Sequence, residues 1–285
     1  MDFDFVIIGS GPGGYVAAIR AAQLGLTVAI IEKEALGGIC LNWGCIPTKS
    51  FLRSAEVLKI IQGSEKYGIK SQLGEVDISQ IVKRSRSIAK KLSSGVEYLL
   101  KKNKVQIFSG EASFKTSRSI IVKAKNNLVN EINGKNICIA TGGRPRKIDG
   151  VSNSTNLWFY KDALQVDKIP KRLLVVGSGA IGMEFASFFA QMGSDVSLLE
   201  SKPTILPNED LDISNFVEKQ FLNRGIKIYK NHSLLSLKER GNLFEAELKS
   251  EDKKLALSFD KAILAIGIVG NIEGLNLEGL DINFS

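Results

Sequence analysis

Two of the three cysteines in this chain, Cys40 and Cys45, lie five residues apart in the segment GGICLNWGCIPTK. The thiolate is the reactive form of cysteine, and a helix start or a nearby positive charge such as Lys49 stabilises it. A structural zinc site needs about four Cys or His ligands, and the chain has one histidine, His232. The pair therefore predicts a redox-active dithiol, with two inert buried thiols as the alternative. Cys138 lies in an apolar stretch and is expected to be structural.

Backbone geometry limits how these two thiols can meet. Positions five apart on an ideal helix point about 140° away from each other. A disulfide between Cys40 and Cys45 therefore requires a distorted first turn. Gly44 and Pro47 permit one, because glycine relaxes the backbone and proline is tolerated where a helix begins.

An internal repeat supplies the elements that position this segment. Residues 6–33 align without a gap on residues 174–201, and each copy reads as apolar strand, glycine-rich turn, helix, apolar strand and glutamate. The copies carry a dinucleotide-binding fingerprint at Gly9, Gly11, Gly14 and Glu32, and at Gly177, Gly179, Gly182 and Glu200. Its glycines form the turn and admit a pyrophosphate at the helix start, and its glutamate accepts ribose hydroxyls. We expect two bound dinucleotides and an α/β protein with two Rossmann-like dinucleotide-binding domains, each of three layers.

Further elements are predicted from apolar periodicity and turn signals. Helices are expected at 50–62, 78–102 and 211–223, and strands at 105–108, 119–123, 135–140, 226–229, 243–248, 255–258 and 261–266. His232 falls in a turn-like stretch and is interpreted as a surface residue, because a general base would have to reach the thiols.

Composition narrows the classes of function. Hydrophobic residues make up 44% and charged residues 24%, as in ordinary globular proteins, and the net charge is +8. The densest basic run, at 83–91, lies above an apolar helical stripe without interleaved aromatic residues, so it is interpreted as the solvated face of an amphipathic helix. We therefore expect no nucleic-acid partner, no membrane span, no signal peptide and a cytoplasmic location.

The segment GGICLNWGCIPTK resembles the redox-active disulfide motif of the pyridine nucleotide–disulfide oxidoreductases, most closely in their dihydrolipoamide dehydrogenase branch. The resemblance covers essentially the whole chain, through the first fingerprint, the thiol segment, the Ala140-Thr141-Gly142 stretch and the second fingerprint. The thioredoxin reductases do not fit, because their thiol pair lies in the second nucleotide domain.

The resemblance implies that FAD binds the first fingerprint and a nicotinamide cofactor the second. The cofactor-binding residues would be Gly9, Gly11, Gly14, Glu32, Gly38, Lys49, Thr141, Gly142, Gly177, Gly179, Gly182, Glu200 and Gly267. NAD is favoured over NADP because Glu200 would repel a 2′-phosphate and residues 201–206 contain no arginine.

The same resemblance implies a division into functional domains. An FAD-binding domain with the redox disulfide is expected at 1–148 and an NAD-binding domain at 149–268. Residues 269–285 would begin a return segment into the FAD domain.

Four residues would carry the chemistry that the resemblance implies. Cys40 would exchange with dihydrolipoamide, Cys45 would lie against the flavin, and Lys49 would lie near flavin N5, paired with Glu184. Electrons would pass through FAD to NAD⁺, as in the E3 component of 2-oxo acid dehydrogenase complexes. The partners would be dihydrolipoamide on the E2 lipoyl domain, the E2 subunit-binding domain, and a second copy in a homodimer.

The sequence also departs from the family pattern. The family commonly shows Arg-x-Pro-Asn after Gly267, whereas this chain has Ile268-Val269-Gly270-Asn271. The family's acid–base histidine and dimerisation domain would follow Ser285, so poor lipoamide turnover is expected from this chain alone. The alternatives are a truncated FAD/NAD-binding fragment with impaired catalysis, an enzyme of the glutathione or mercuric reductase type, and a basic nucleic-acid-binding protein.

Overall fold

A computed structural model describes residues 1–124, 126–148, 156–241, 243–250, 253–280 and 282 of the chain. The chain divides into two compact units, the first formed by Met1–Ile46, Arg86–Arg144 and Gly270–Ser285 and the second by Pro47–Ser85 and Pro145–Val269. The predicted domain border after residue 148 and the end of the predicted return segment, at 281 and 283–285, fall on residues outside the described part. The functional domain bounds therefore stay a prediction.

The helices follow the predicted order along the chain. They are α1 (Pro12–Gln23), α2 (Gly38–Trp43), α3 (Cys45–Gln62), α4 (Ile78–Lys102), α5 (Tyr160–Ala163), α6 (Ala180–Gln191) and α7 (Leu211–Leu222), with a 3₁₀ turn at Ser64–Tyr67. Helix α1 begins at a proline, whose fixed φ suits the first helical position. No helix in the described part of the chain is long and apolar enough to cross a membrane.

The first unit is built on a six-stranded sheet in the order β3-β2-β1-β6-β5-β4. Its strands are β1 (Asp2–Ile8), β2 (Val28–Glu32), β3 (Gln106–Ser109), β4 (Glu111–Thr116), β5 (Ser119–Lys123) and β6 (Val129–Ile139). Strand β1 pairs in parallel with β2 and β6, and β2 pairs in parallel with β3. Strands β4 and β5 extend the sheet antiparallel beyond β6. The parallel half is the dinucleotide-binding arrangement that the first repeat copy predicts.

Side chains of this sheet alternate between two covered faces. On one face, Ile7 and Ile30 share a core with Ala18 of α1 and Leu100 of α4. On the opposite face, a second core contains residues of β1 and β2 together with β4, β5, β6 and the 275–277 segment: Val6, Ile8, Ala29, Ile31, Phe114, Ile120, Ile132, Leu275 and Leu277. The antiparallel strands β4 and β5 thus cover the face of β1 and β2 opposite α1 and α4, which gives the unit the predicted three layers.

The second unit repeats this plan. Strands β8 (Leu157–Trp158), β9 (Arg172–Val176), β10 (Asp195–Leu199), β11 (Lys227–Tyr229) and β15 (Lys261–Leu264) form a parallel sheet in the order β11-β10-β9-β15-β8. Strands β12 (Ser233–Arg240), β13 (Leu243–Ser250) and β14 (Lys253–Phe259) form an antiparallel meander. The meander packs on one face of the parallel sheet, where Leu174 and Leu199 share a core with Phe244 and Leu248.

Two short strands, β7 (Gly143–Pro145) and β16 (Ile268–Gly270), lie at the points where the chain passes between the units.

The observed strands also extend beyond the predicted ones. Strand β6 begins at Val129 rather than at 135, because its first residues pair antiparallel with β5 and its last residues pair parallel with β1. The residue patterns did not predict strands β4, β7, β8, β12 and β16 or the short helices α2 and α5. Helix α3 begins at Cys45 rather than at 50.

Candidate active site

The first fingerprint turn lies between β1 and α1. Gly9 has φ +101°, and a Cβ on it would lie 2.3 Å from the Ala140 carbonyl oxygen. A Cβ on Gly14 would lie 1.9 Å from the Gly9 carbonyl oxygen. On Gly11 the nearest atom would be Gly38 Cα at 3.9 Å. The outer glycines are therefore required by the fold, whereas the middle one leaves open space where a pyrophosphate would approach.

The second fingerprint turn has the same geometry. Gly177 has φ +99°, with its Cβ position 2.4 Å from the Ala265 carbonyl oxygen, and a Cβ on Gly182 would lie 1.9 Å from the Gly177 carbonyl oxygen. Gly179 has no atom within 4 Å of its Cβ position. Both turns therefore fit a dinucleotide.

The glutamate that ends each repeat copy is fixed by the serine inside its own fingerprint. Glu32 Oε2 accepts hydrogen bonds from the Ser10 amide at 3.0 Å and the Ser10 hydroxyl at 2.6 Å, and Glu32 Oε1 accepts from the Glu34 amide at 2.8 Å. The Glu32 carboxylate therefore lies beside the first glycine turn, which is where a ribose would be bound.

Glu200 repeats this arrangement in a more buried position. Its Oε2 accepts from the Ser178 amide at 3.0 Å and the Ser178 hydroxyl at 2.6 Å, and its Oε1 accepts from the Lys202 amide at 2.9 Å. Burial acts to raise the pKa of Glu200, but the hydrogen bonds from Ser178, Lys202 and Ser201 outweigh it and hold the pKa below its ordinary value. Glu200 is therefore anionic at neutral pH.

The thiol segment begins against the first fingerprint turn. The Gly37 amide donates to the Ser10 carbonyl at 3.0 Å, and a Cβ on Gly38 would lie 2.5 Å from Gly11 Cα. The Asn42 side-chain amide donates to the carbonyls of Leu36 and Gly38 at 2.9 and 3.0 Å. These contacts place the short helix α2 directly beside the first dinucleotide turn.

Helix α4 supports the same segment at two places. The Ser93 hydroxyl donates to the Leu36 carbonyl at 2.8 Å, and the guanidinium carbon of Arg86 lies 4.3 Å from the centroid of the Trp43 ring. Such an arrangement of a cation over an indole face is attractive. Burial lowers the pKa of Arg86.

The two cysteines lie on separate helices. Cys40 is half-buried in α2, and Cys45 is exposed at the first position of α3. Gly44 breaks the helix between them with φ −136° and ψ −116°, and a Cβ there would lie 3.1 Å from the Ile39 carbonyl oxygen and 3.4 Å from Cys40 Cα. The predicted distortion is thus a break at Gly44. The disulfide bond between Cys40 and Cys45 stays a prediction.

Lys49, four positions after Cys45 in α3, forms an ion pair with Glu184 of α6. The Lys49 side chain is 63% exposed and that of Glu184 25%. Helices α3 and α6 also meet where the Phe51 and Phe188 rings lie 4.7 Å apart. The structure shows the pairing of these two residues, and their part in the chemistry stays a prediction.

The stretch after β6 is joined to the start of the last segment of the first unit. The Thr141 hydroxyl donates to the Asn271 carbonyl at 2.6 Å, the Asn271 side-chain amide donates to the Thr141 carbonyl at 2.9 Å, and the Asn271 amide donates to the Gly142 carbonyl at 3.0 Å. Gly142 and Gly267 have φ +67° and +115° with open space at their Cβ positions. Asn271 is the asparagine that the chain shares with the family pattern, and here it holds Thr141 and Gly142 in place.

Two further residues, His232 and Cys138, were not assigned to the chemistry of the thiol pair. His232 occupies the predicted turn, but it is half-buried rather than exposed, because its Nδ1 lies 2.6 Å from the Lys230 carbonyl oxygen and its ring packs against Tyr229. Cys138 lies in β6, paired with Ile7, as its structural interpretation requires. Among the residues that the structure describes, no cluster of three His, Cys, Asp or Glu side chains could hold a metal.

Three residues that organise the site, Ser10, Ser178 and Asn271, were not predicted from the sequence to do so. The two serines occupy the same place in both repeat copies, as the middle residue of Gly-Ser-Gly. This shared position was the one sequence feature that could have pointed to a role for the two serines. Their contact with the glutamate depends on the close approach of the second strand to the turn, which the alignment does not show.

Comparison with known proteins is consistent with this geometry. The family described as pyridine nucleotide-disulphide oxidoreductase matches residues 3–284. The dihydrolipoyl dehydrogenases of Zymomonas mobilis and Rhizobium etli are 47% and 44% identical to the chain, over 98% of it and over 60% and 62% of their own lengths.

Solved structures give the same result. LpdA from Mycobacterium tuberculosis superposes with a TM-score of 0.90 at 26% identity, covering 99% of this chain and 62% of its own. The flavoprotein disulfide reductase RclA from Escherichia coli, solved as a Cu(II) complex, has a TM-score of 0.82 at 28% identity, covering 98% and 59%. The chain therefore spans about 60% of the length of the curated relatives it matches.

Members of the matching family use FAD and NAD(P), and both fingerprint turns of this chain fit a dinucleotide. The thiol segment lies against the first turn, and the ion pair of Lys49 with Glu184 is formed. Together with the match over almost its full length, these features establish that the chain belongs to the pyridine nucleotide–disulfide oxidoreductase family.

Proposed function

We propose that this chain is the FAD- and NAD-binding part of a dihydrolipoyl dehydrogenase. The observation that carries the proposal is the attachment of the thiol segment to the first fingerprint turn, where Gly38 packs on Gly11. A disulfide-reducing flavoprotein needs a dithiol beside its FAD, and this approach of the thiol segment to the turn that would bind FAD supports that interpretation. The curated relatives at 38–47% identity that bear the name dihydrolipoyl dehydrogenase favour this branch over the glutathione and mercuric reductases.

The thiols would act by exchange. A thiolate of dihydrolipoamide attacks Cys40 Sγ, the Cys40–Cys45 bond breaks, and Cys45 leaves as a thiolate. The second substrate thiol then attacks the mixed disulfide and displaces Cys40. The substrate is released as its cyclic disulfide, two protons are lost to solvent or base, and both electrons remain on the protein sulfurs.

The residues around the thiols would prepare this exchange. The start of α3 would offer the positive end of the helix dipole to a Cys45 thiolate. The ion pair with Glu184 holds the Lys49 ammonium group against α6. Bound FAD would supply the electron acceptor, held by Gly9, Gly11, Gly14, Glu32, Gly38 and the Thr141-Gly142 stretch, and bound NAD⁺ would supply the final hydride acceptor.

The second nucleotide is proposed to be NAD. Glu200 is buried and anionic beside the second turn, and a 2′-phosphate there would meet a negative charge. Residues 201–206 offer no arginine to compensate.

The partners belong to the proposal as well. Dihydrolipoamide on an E2 lipoyl domain would be the substrate, the E2 subunit-binding domain the docking partner, and a second copy the dimer partner. The cytoplasmic location stays a prediction. The second candidate, a fragment with impaired catalysis, is favoured by His232, the one histidine of this sequence, whose Nδ1 lies 2.6 Å from the Lys230 carbonyl oxygen.

Single cysteine variants test the proposal. Cys45→Ser is expected to abolish NAD⁺ reduction by dihydrolipoamide, because the internal disulfide cannot form, while NADH-driven reduction of an artificial dye remains. Cys138→Ser is the matched control and should keep both activities. Full lipoamide turnover by Cys45→Ser would refute the proposal. Dye reduction without lipoamide turnover in the unaltered chain would support the impaired fragment.

A further inference from the structure

Ser178 joins three parts of the second nucleotide site. It is fully buried. Its amide and hydroxyl both donate to Glu200 Oε2, at 3.0 and 2.6 Å. Its carbonyl accepts the Leu206 amide at 3.1 Å, and the same amide lies 3.3 Å from its hydroxyl oxygen. One serine thus holds both the carboxylate and the end of the loop that follows it.

That loop is closed in an unfavourable backbone conformation. Leu206 has φ +48°, a region that costs a branched side chain roughly 1–2 kcal/mol. Its carbonyl accepts the Ser214 hydroxyl at 3.2 Å. In the first repeat copy the corresponding bond to the Ser10 carbonyl comes from Gly37, which also has positive φ but pays no such cost. The loop of the second copy is therefore closed although Leu206, rather than a glycine, adopts the positive φ.

We propose that Ser178 is the positioning residue that makes the second nucleotide site select NAD over NADP, by fixing the Glu200 carboxylate and closing the loop at 201–206. This inference rests on the proposed function, because it takes the second fingerprint to be the site of the nicotinamide dinucleotide.

The hydrogen-bond pattern of Glu200 explains the selection. A carboxylate has about four acceptor positions. Ser178 fills both positions on Oε2, and the Lys202 amide fills one on Oε1. The remaining contact on Oε1 is the Ser201 hydroxyl at 3.3 Å, which is long. A ribose 2′-hydroxyl can take that last place, whereas a 2′-phosphate brings negative charge and no proton to donate.

Removing the Ser178 side chain would leave the Glu200 carboxylate less firmly held. With the hydroxyl donor removed, Glu200 can turn away from an incoming 2′-phosphate, and the loop loses part of its attachment. A hydrogen bond to a charged group is worth enough for a change of roughly tenfold in an equilibrium constant. We expect Ser178→Ala to lower the ratio of NADP⁺ to NAD⁺ dissociation constants by about that factor.

The experiment is calorimetric titration of the FAD-reconstituted chain with NAD⁺ and with NADP⁺, as a double-mutant cycle. Four proteins are compared: the unaltered chain, Ser178→Ala, Glu200→Gln and the double variant. If Ser178 acts through Glu200, Ser178→Ala lowers the ratio in the unaltered background and leaves it nearly unchanged in the Glu200→Gln background. Ser194→Ala removes another buried serine hydroxyl of the second unit, which donates to the Pro170 carbonyl at 2.6 Å. It is the matched control and should leave the ratio unchanged.

Each outcome decides between the possibilities. An unchanged ratio in Ser178→Ala, or an equal drop in both backgrounds, would overturn the role of Ser178 while leaving the NAD site intact. A drop of similar size in Ser194→Ala would show a general loss of structure and also overturn it. If the unaltered chain binds neither nucleotide, or binds NADP⁺ more tightly, the proposed NAD site itself is wrong and this inference falls with it.

Discussion

Single residues in the two turns divide into those that the fold requires and those that a ligand would require. The Cβ positions of Gly14 and Gly182 collide with backbone oxygen at 1.9 Å, whereas that of Gly11 would make an ordinary contact with Gly38 Cα at 3.9 Å and that of Gly179 faces open space. Gly11 also has an ordinary backbone conformation, with φ −65°. The same residue type therefore has different functions at neighbouring positions.

Alanine variants should separate these two functions. Gly14→Ala is expected to destabilise the first unit by more than about 3 kcal/mol, because a backbone oxygen cannot move aside. Gly11→Ala should fold with a stability change within about 0.5 kcal/mol but retain little FAD, because the methyl group occupies the approach to the pyrophosphate. Thermal melting and flavin absorbance after gel filtration measure the two effects. Full flavin content in Gly11→Ala would contradict this account of the turn.

The Lys49–Glu184 pair is expected to matter for chemistry more than for stability. Exposed ion pairs contribute about 0–1 kcal/mol, and the Lys49 side chain is 63% exposed. Glu184→Gln should thus lower the melting temperature little but slow lipoamide-dependent NAD⁺ reduction strongly. Glu97→Gln, which breaks the exposed Lys101–Glu97 pair, is the control and should keep full activity. Equal activity in both variants would remove Glu184 from the proposed site.

The ionisation of Glu200 should appear in the pH dependence of stability. Its folded-state pKa lies below the ordinary value of 4.5, so its contribution to stability is present above about pH 4.5 and is lost as the pH falls through the folded-state pKa. The difference in unfolding free energy between the unaltered chain and Glu200→Gln should therefore shrink as the pH falls below about 4.5. Urea titrations at several pH values measure it. A difference that does not change with pH would contradict the hydrogen-bond pattern.

At the scale of elements, α2 depends on its neighbours. A helix of six residues is too short to be stable alone. The Asn42 amide, the Gly38–Gly11 contact and the Arg86–Trp43 stacking hold it in place.

Loosening α2 should expose Cys40. Asn42→Ala removes two hydrogen bonds from the first turn of α2, so the rate of Cys40 alkylation by iodoacetamide, followed by mass spectrometry, should rise several-fold. Asn103→Ala also removes a side-chain bond to a helix carbonyl, that of Leu99 at the end of α4, and should leave the rate unchanged. A Cys40 rate in Asn42→Ala equal to that of the control would show that Asn42 does not hold the helix.

The elements also show how far sequence patterns reach. Helix α4 and strand β5 have the predicted bounds, because each has a clear apolar period and turn signals. The start of β6 was missed, because the polar stretch at 129–136 lacks an apolar period and is held as a strand by pairing with β5 and β1. The two glycine turns, their glutamates and the thiol segment could be located from the repeat and the cysteine spacing, whereas their roles in binding and chemistry stay predictions. The Ser178–Glu200 contact was not, because it depends on tertiary approach.

At the scale of the whole molecule, one chain contains two copies of a dinucleotide unit, and a thiol segment follows the first copy in the sequence. Each copy has the same serine–glutamate contact and the same division between turn glycines. Because the thiol segment follows only the first copy, the two similar units would have different tasks. The first would exchange electrons with a dithiol, and the second would bind the nicotinamide dinucleotide.

The measurement that tests this account most directly is anaerobic reduction of the FAD-reconstituted chain by NADH, followed by counting of thiols with a chromogenic disulfide. We expect two new thiols per bound flavin, both lost in Cys40→Ser and Cys45→Ser and both kept in Cys138→Ser. Reduction of the flavin by NADH without any new thiols would contradict the central claim that Cys40 and Cys45 form a redox pair coupled to the two nucleotides.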